Sequence, residues 1–204
     1  REIWFNEYMK TLSLANNIIP NSKYSEERYR FHKNRLNLNT RQNINAILLG
    51  VVNSNSLNEI KCNINNYNLE SNLIISNMPR SSAKNYKTLI EAFKLLHNSN
   101  REFKLIIFGH RWTNKMDTDN NIEYKSFVSE EERINLYRNC LFTVFPSTLE
   151  GFGIPIYESL MLDRPVICHN GTSTLEIANN INQPFVSAVN CNDVNCLLEE
   201  MKKF

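Results

Sequence analysis

The fold is decided by the stretch Phe145-Pro-Ser-Thr-Leu-Glu150-Gly-Phe-Gly-Ile-Pro-Ile-Tyr-Glu158. It continues the apolar run 141–145, which predicts a buried parallel strand, and apolar residues at helical spacing begin at Ile156. Gly151 and Gly153 allow a tight turn, and Pro155 suits the first turn of a helix. Because a helix start offers free N–H groups and the positive end of a dipole, the stretch predicts a site for an anion, above all a phosphate.

Two carboxylates bracket this turn, Glu150 before it and Glu158 inside the predicted helix. Beside a phosphate site, a carboxylate is useful mainly for binding hydroxyl groups, such as those of a ribose or a hexose. A glycosidase pair is less favoured, since hydrolases place their two carboxyl groups on opposite sides of the scissile bond. The alternative without a binding role is an ordinary strand-to-helix turn with exposed glutamates.

Working outward, apolar runs that predict strands alternate with helical patterns from residue 72 onward. The predicted strands are 73–77, 103–108, 122–127, 141–145, 166–168 and 185–186, and helices are predicted at 84–96, from Ser129, from Gly153, near Thr174 and from Asp193. This alternation predicts an α/β fold with a doubly wound parallel sheet. Ligands of such sheets bind outside the carboxyl ends of the strands, where the glycine turn and the loop before Lys84 lie.

The first third of the chain follows another pattern. Ser25 is predicted to cap a helix that runs to about Arg35, and 44–49 is predicted to be a strand. Polar residues without periodicity follow and predict a linker. The predicted organisation is therefore the end of one domain at 1–54, a linker at 55–71 and a second domain at 72–204, and the start at Arg1 rather than Met favours a fragment.

Composition narrows the classes of function. The formal net charge is +2, so the overall charge does not indicate a nucleic-acid-binding protein. No apolar run approaches the ~20 residues of a membrane span, and no signal peptide is evident. The five cysteines form no CxxC pair, and Cys140 and Cys168 are predicted to be reduced core residues of a cytoplasmic protein.

The stretch from Phe145 to Glu158 resembles the donor-site signature of the retaining glycosyltransferases of group 1 (family 4). That signature is Pro-Ser, two residues, Glu-Gly-Phe-Gly-x-Pro and a second Glu, and seven residues separate Glu150 from Glu158 here. The resemblance is strong over about 72–178, and 1–54 is similar to the end of the family's N-terminal, acceptor-side domain. It implies that 72–204 is the donor-binding, Rossmann-like half of a GT-B fold.

The function implied by the resemblance is a hexosyltransferase. It would move a sugar from a nucleotide-diphosphate sugar to a hydroxyl of a sugar or glycoconjugate acceptor, with retention and without a metal or other cofactor. The setting would be polysaccharide or glycoconjugate biosynthesis in the cytoplasm, with a peripheral membrane contact through the missing domain, and the fragment alone is expected to be inactive. The alternatives are a non-catalytic module that binds a nucleotide sugar or a partner, and a GT-B sugar-nucleotide epimerase.

The resemblance also implies roles for individual residues. Glu158 would bind the ribose hydroxyls and Glu150 the donor sugar, while Lys84 and Arg80 would neutralise the diphosphate. Arg80 lies closer to Lys84 than the family's arginine usually does. Backbone contacts to sugar, phosphate and base are expected from Gly151, Phe152, Gly153, Ile154, Pro155 and Val128.

A competing motif is Asp117-Thr118-Asp119, which spells the Asp-x-Asp of metal-dependent glycosyltransferases of another fold. In those enzymes it should follow a strand and bind a divalent ion. Here it lies among polar residues, so a turn is favoured, and no metal ligands are predicted.

Overall fold

The computed structural model describes residues 2–38, 41–47, 71–98, 102–112, 119–180 and 186–204. The chain divides into two compact units, Arg1–Gly50 and Val51–Phe204. The linker predicted at 55–71 lies outside the described residues except for Ser71. None of the helices in the described part combines the length and the hydrophobicity that a membrane crossing requires.

The first unit contains two helices and a short parallel strand pair. The elements are α1 (Glu2–Ser13), β1 (Asn17–Ile18), α2 (Lys23–Arg35) and β2 (Asn43–Ile44), with β1 parallel to β2. Met9, Tyr29 and Ile44 form its small buried core.

Two predictions for this unit were wrong. Helix α2 begins three residues earlier than predicted, because Ser22 is the cap and its Oγ accepts the N–H of Ser25 at 3.0 Å. The predicted strand 44–49 ends at Ile44 within the described residues. The N–H groups of Asn45 and Ile47 still donate to the carbonyl oxygens of Ile18 and Pro20. Pro20 has no N–H to donate in return, so the ladder of the strand pair ends there.

The second unit alternates strands and helices along the whole of its described length. Its elements are β3 (Leu73–Asn77), a 3₁₀ turn (Ser82–Lys84), α3 (Tyr86–His97), β4 (Lys104–Phe108), β5 (Ile122–Lys125), α4 (Glu130–Asn139), β6 (Phe142–Phe145), α5 (Ile154–Met161), β7 (Val166–His169), α6 (Ser173–Asn180), β8 (Val186–Val189) and α7 (Val194–Met201). The helices predicted from Ser129 and from Asp193 are confirmed. Each of these residues is the N-cap of the helix that follows, and its side chain accepts a backbone N–H of that helix.

The strands form one six-stranded parallel sheet in the order β5-β4-β3-β6-β7-β8. One face is covered by α3 and α7, whose residues Leu89, Phe93 and Leu197 belong to the first core cluster. The other face is covered by α4, α5 and α6, which contribute Tyr137 and Ile156 to a second cluster. The doubly wound sheet predicted from the sequence is therefore confirmed.

The start of α3 differs from the prediction of a helix from Lys84. Lys84 ends a 3₁₀ turn, and Asn85 adopts a left-handed conformation with φ of 52° before α3 begins at Tyr86. Asparagine tolerates this conformation, and its side chain is held by the Cys191 carbonyl oxygen at 2.6 Å. Lys84 therefore belongs to the loop before α3 and not to the helix.

A close backbone approach fixes the ends of β3 and β4. Gly109 has φ of +137°, and a Cβ there would lie 2.6 Å from the carbonyl oxygen of Met78. The same oxygen accepts a hydrogen bond of 2.7 Å from the buried Trp112 indole. Only glycine fits this position without displacing the backbone.

The predicted core cysteines are confirmed as free thiols. Cys140 and Cys168 are both fully buried. Burial raises the pKa of each thiol to about 12, so neither is a nucleophile at neutral pH.

Candidate active site

The candidate site lies where the order of strands in the sheet reverses. The chain runs from β3 outward through β4 to β5 and then returns to place β6 on the other side of β3. At such a switch point the loops after the two central strands diverge and leave a crevice at the carboxyl ends of the strands. These loops are 78–85, which carries Arg80 and Lys84, and 146–153, which carries Glu150.

A backbone contact joins the two loops. The N–H of Thr148 donates to the carbonyl oxygen of Ala83 at 2.9 Å, and the Thr148 hydroxyl donates to the same oxygen at 3.3 Å. Since Ala83 is next to Lys84 and Thr148 is two residues before Glu150, this contact places the two charged side chains side by side.

Lys84 and Glu150 form an ion pair. Lys84 Nζ donates to Glu150 Oε2 at 2.5 Å, and the two side chains are 20% and 21% exposed. A pair that is largely shielded from water interacts more strongly than one on an open surface. The structure therefore brings together two of the three residues predicted to act on diphosphate and sugar.

The glycine turn (residues 149–153) is held from α6. Ser173 Oγ lies 2.9 Å from the Glu150 carbonyl oxygen and 3.2 Å from that of Phe152, and its hydroxyl donates to them. Gly153, with φ of +105°, caps α5, and Pro155 lies in the first turn, as predicted. In the first turn of α5, Pro155 has no N–H and the Ile156 N–H donates to the Gly153 carbonyl oxygen at 3.0 Å, so the turn offers the Ile154 N–H and the positive end of the helix dipole.

Glu158 lies on α5 within a polar cluster. Its carboxylate forms an ion pair with Arg133 of α4, and the Tyr137 hydroxyl is 3.0 Å from Oε2. Asn77, the last residue of β3, contributes its Nδ2 at 3.4 Å from the same oxygen. Burial, and then the negative charge of Glu158, raise the pKa of Tyr137 well above its usual value, so the phenol stays protonated and can donate.

The remaining predicted site residues lie in different surroundings. Arg80 is exposed, and among the described residues its side chain has no hydrogen-bond or ion-pair partner, while its backbone N–H donates to the His110 carbonyl oxygen at 2.9 Å. Phe152 is buried with its ring stacked on Tyr157 at 5.2 Å, so only its backbone faces the turn. Ile154 is 58% exposed at the start of α5, and Val128 packs on the second core cluster.

The Asp-x-Asp motif falls largely outside the described residues, which include only Asp119 of the three. The Asp119 carboxylate accepts the backbone N–H of Asn121 at 2.9 Å, a contact typical of a turn. Within the described ranges, no group of three or more His, Cys, Asp or Glu side chains is arranged to hold a metal ion.

A comparison of the sequence with known families decides the family. The profile of "Glycosyl transferases group 1" matches residues 70–204, which include all six strands of the parallel sheet and most of the chain. The chain belongs to the group 1 glycosyltransferase family.

Two curated relatives are named as a mannosyltransferase and a glycosyltransferase. The chain is 34% identical over 104 residues to the O-antigen chain mannosyltransferase B of Escherichia coli, covering 46% of this chain and 27% of that protein. It is 25% identical over 177 residues to the capsular polysaccharide biosynthesis glycosyltransferase CapM of Staphylococcus aureus, covering 76% of this chain and 45% of that protein. The chain thus spans less than half the length of these two relatives.

Solved structures show the same fold. A UDP-forming trehalose-phosphate synthase from Burkholderia xenovorans matches with a TM-score of 0.73 at 11% identity, over 97% of this chain and 55% of that chain. An Anabaena protein, HepE, solved in complex with UDP and glucose, matches with a TM-score of 0.66 at 14% identity, over 97% of this chain and 57% of that chain. This likeness confirms the α/β, Rossmann-like fold of the six-stranded unit, as expected for half of a GT-B fold.

Sequence reasoning missed several residues of this candidate site, namely Asn77, Arg133, Tyr137 and Ser173. Arg133 and Tyr137 are four residues apart on α4 and therefore share a helix face, which was a usable signal. Asn77 and Ser173 gave no such signal, because each contacts a segment that is distant in sequence. Asn77 is 81 residues before Glu158, and Ser173 is 23 residues after Glu150.

Proposed function

We propose that this chain binds the nucleotide-sugar donor of a glycosyltransferase that transfers a sugar to an acceptor hydroxyl with retention of configuration. The observation that carries the proposal is the Thr148–Ala83 contact at the switch point, which places Lys84 beside Glu150 at the carboxyl ends of β3 and β6. Transfer itself is proposed for the whole protein, because the chain spans 27% and 45% of its two curated relatives.

The charges of the site suit a nucleoside diphosphate. Lys84 and the exposed Arg80 supply cations, and the start of α5 supplies the Ile154 N–H and a positive dipole end. When a nucleoside diphosphate leaves, negative charge develops on it, and cations already in place stabilise that charge. On this basis the donor binds without a divalent metal ion.

The two glutamates divide the remaining work. Glu158 lies one turn inside α5 and accepts hydroxyls of the ribose, whereas Glu150 precedes the glycine turn and accepts hydroxyls of the donor sugar. The backbone at Val128 meets the base, and the backbone at 151–155 meets sugar and phosphate. Retention of configuration rests on the likeness of 145–158 to the signature of retaining enzymes.

Calorimetric titration of the chain with UDP and with GDP tests the donor site. We expect one of the two to bind in the presence of EDTA, and we expect Lys84→Met to weaken it about 10- to 100-fold, the value of a hydrogen bond to a charged group. Lys87→Met, which removes an exposed lysine of α3, is the matched control and should bind as the unaltered chain does.

Two results would overturn parts of this proposal. Binding that appears only with Mg²⁺ or Mn²⁺ would contradict metal-free recognition of the diphosphate. If the Lys84 and Lys87 variants bind the nucleoside diphosphate with equal affinity, Lys84 does not contribute to the site. UDP-glucose and GDP-mannose are the first sugar nucleotides to test, because one structural neighbour is in complex with UDP and glucose and one relative is named a mannosyltransferase.

A further inference from the structure

The cluster around Glu158 is more elaborate than an ion pair on a helix surface. Asn77 ends β3, Arg133 and Tyr137 lie on one face of α4, and Glu158 lies on α5, so three separate elements converge on one carboxylate. The Glu158 side chain is 24% exposed and that of Arg133 is 29% exposed. The cluster is therefore mostly shielded, with one side open to solvent.

The partners of Glu158 divide its two oxygens between them. Arg133 Nη1 donates to Oε1, while the Tyr137 hydroxyl, at 3.0 Å, donates to Oε2. The Tyr137 hydroxyl also lies 3.4 Å from the Pro155 carbonyl oxygen, but the shorter contact is to the charged acceptor. Both oxygens are thus fixed in position by donors from a single helix.

A carboxylate has about four lone-pair sites. Arg133 and Tyr137 occupy two of them, and Asn77 Nδ2 makes only a long contact of 3.4 Å with Oε2, so one site is unused and another is weakly held. These two sites match the two hydroxyls of a vicinal diol, because each hydroxyl donates one hydrogen bond. Arg133 supplies a positive charge beside this partly buried carboxylate.

We infer that Arg133 and Tyr137 are positioning residues, which aim the Glu158 carboxylate at the vicinal hydroxyls of the nucleoside ribose and so make the site select ribonucleotides. The inference rests on the proposed function, since it assumes that a nucleoside diphosphate binds at the switch point. It adds two residues of α4 that touch Glu158 and act on the nucleotide only through it.

The direct test compares UDP with 2′,3′-dideoxy-UDP, and GDP with 2′,3′-dideoxy-GDP, by calorimetry on the full chain. For the base that binds better, we expect the unaltered chain to prefer the ribonucleotide by about 10- to 100-fold, the value of hydrogen bonds to a charged group. Glu158→Gln, Arg133→Met and Tyr137→Phe should each lower this ratio, and Arg133→Lys, which keeps the charge, should restore part of it.

The ratio of the two affinities is the informative quantity, because a variant that only loosens the fold weakens both nucleotides alike. Glu131→Gln, on an exposed position of α4, is the matched control and should keep the ratio of the unaltered chain. Tyr137→Phe keeps the buried ring and removes only the hydroxyl, so it carries the test if Arg133→Met does not fold.

The outcomes distinguish failure of the positioning role from failure of the proposed donor site. If Glu158→Gln lowers the ratio while Arg133→Met and Tyr137→Phe leave it unchanged, the donor site stands and the positioning role is overturned. If the unaltered chain binds neither ribonucleotide, or binds ribo and dideoxy forms equally, the proposed ribose site fails and the inference fails with it.

Discussion

Removing the Glu150 carboxylate should leave binding of a free nucleoside diphosphate intact or make it tighter. The reason is that Lys84 is paired with Glu150 at 2.5 Å, so a diphosphate must compete with this carboxylate for the same ammonium group. Glu150→Gln keeps the shape and the hydrogen-bonding capacity of the side chain but removes the charge that competes.

The magnitude follows from the burial of the pair. A hydrogen bond between charged groups contributes about 1.5–3 kcal/mol, and side chains that are 20% and 21% exposed retain most of it after screening by solvent. We therefore expect a coupling of about 1–2 kcal/mol between Lys84 and Glu150 in a double-mutant cycle of urea unfolding. The same free energy, released in Glu150→Gln, corresponds to binding of UDP or GDP that is up to about 5- to 30-fold tighter.

Calorimetry with the free nucleoside diphosphate and with the matching nucleotide sugar measures both effects. Lys84→Met should weaken both ligands, whereas Glu150→Gln should weaken the nucleotide sugar relative to the free diphosphate. Glu131→Gln serves as the control for loss of one negative charge. A loss of diphosphate affinity in Glu150→Gln as large as that in Lys84→Met would refute competition between carboxylate and phosphate for Lys84.

Two further predictions concern the frame around the site. Gly109→Ala should lower the free energy of unfolding, measured in urea, by about 2–3 kcal/mol. The reason is that φ is +137° and the new Cβ would lie 2.6 Å from the Met78 carbonyl oxygen. An unchanged urea midpoint would contradict this close approach. Burial lowers the pKa of His169, so the unfolded chain binds its proton first and stability should fall as the pH drops below about 6.5 toward the lowered value. In thermal unfolding scans, His169→Gln should reduce this dependence of stability on pH. It should not abolish it, because burial also lowers the pKa of His32. An identical dependence in the variant would exclude His169 as a cause.

The sequence predicted the sheet well because its strands are continuous apolar runs. The runs at 73–77 and 141–145 lie within one residue of β3 and β6, and they are buried on both faces. The start of α3 was mispredicted because the left-handed Asn85 is supported by the Cys191 carbonyl oxygen, 106 residues away. No local pattern could indicate that contact.

The site shows the same division between local and distant information. The glycine turn and its two glutamates were evident because they lie within one continuous stretch. Their pairing was not evident. Lys84 was predicted as a site residue but is 66 residues from Glu150, and Arg133, which was missed, is 25 residues from Glu158. A sequence pattern identifies the residue types that a site needs, whereas the pairing of those residues depends on which loops the sheet order brings together.

The two glutamates are held in different ways, and the difference bears on the order of events at the proposed donor site. The backbone around Glu150 is fixed at both ends, by Thr148 on Ala83 and by Ser173 on the Glu150 and Phe152 carbonyl oxygens, so only its side chain is free to change partner. Its partner Lys84 is also the proposed ligand of the diphosphate. Engagement of Lys84 by a diphosphate would therefore release the Glu150 carboxylate for the hydroxyls of the sugar. Glu158 has a smaller exchange to make, because Arg133 and Tyr137 leave one acceptor site on it unused and Asn77 holds another only through a contact of 3.4 Å. On this basis, ribose recognition displaces at most the Asn77 contact. Sugar recognition requires that the diphosphate first engages Lys84, so the site would favour the intact nucleotide sugar over the free sugar.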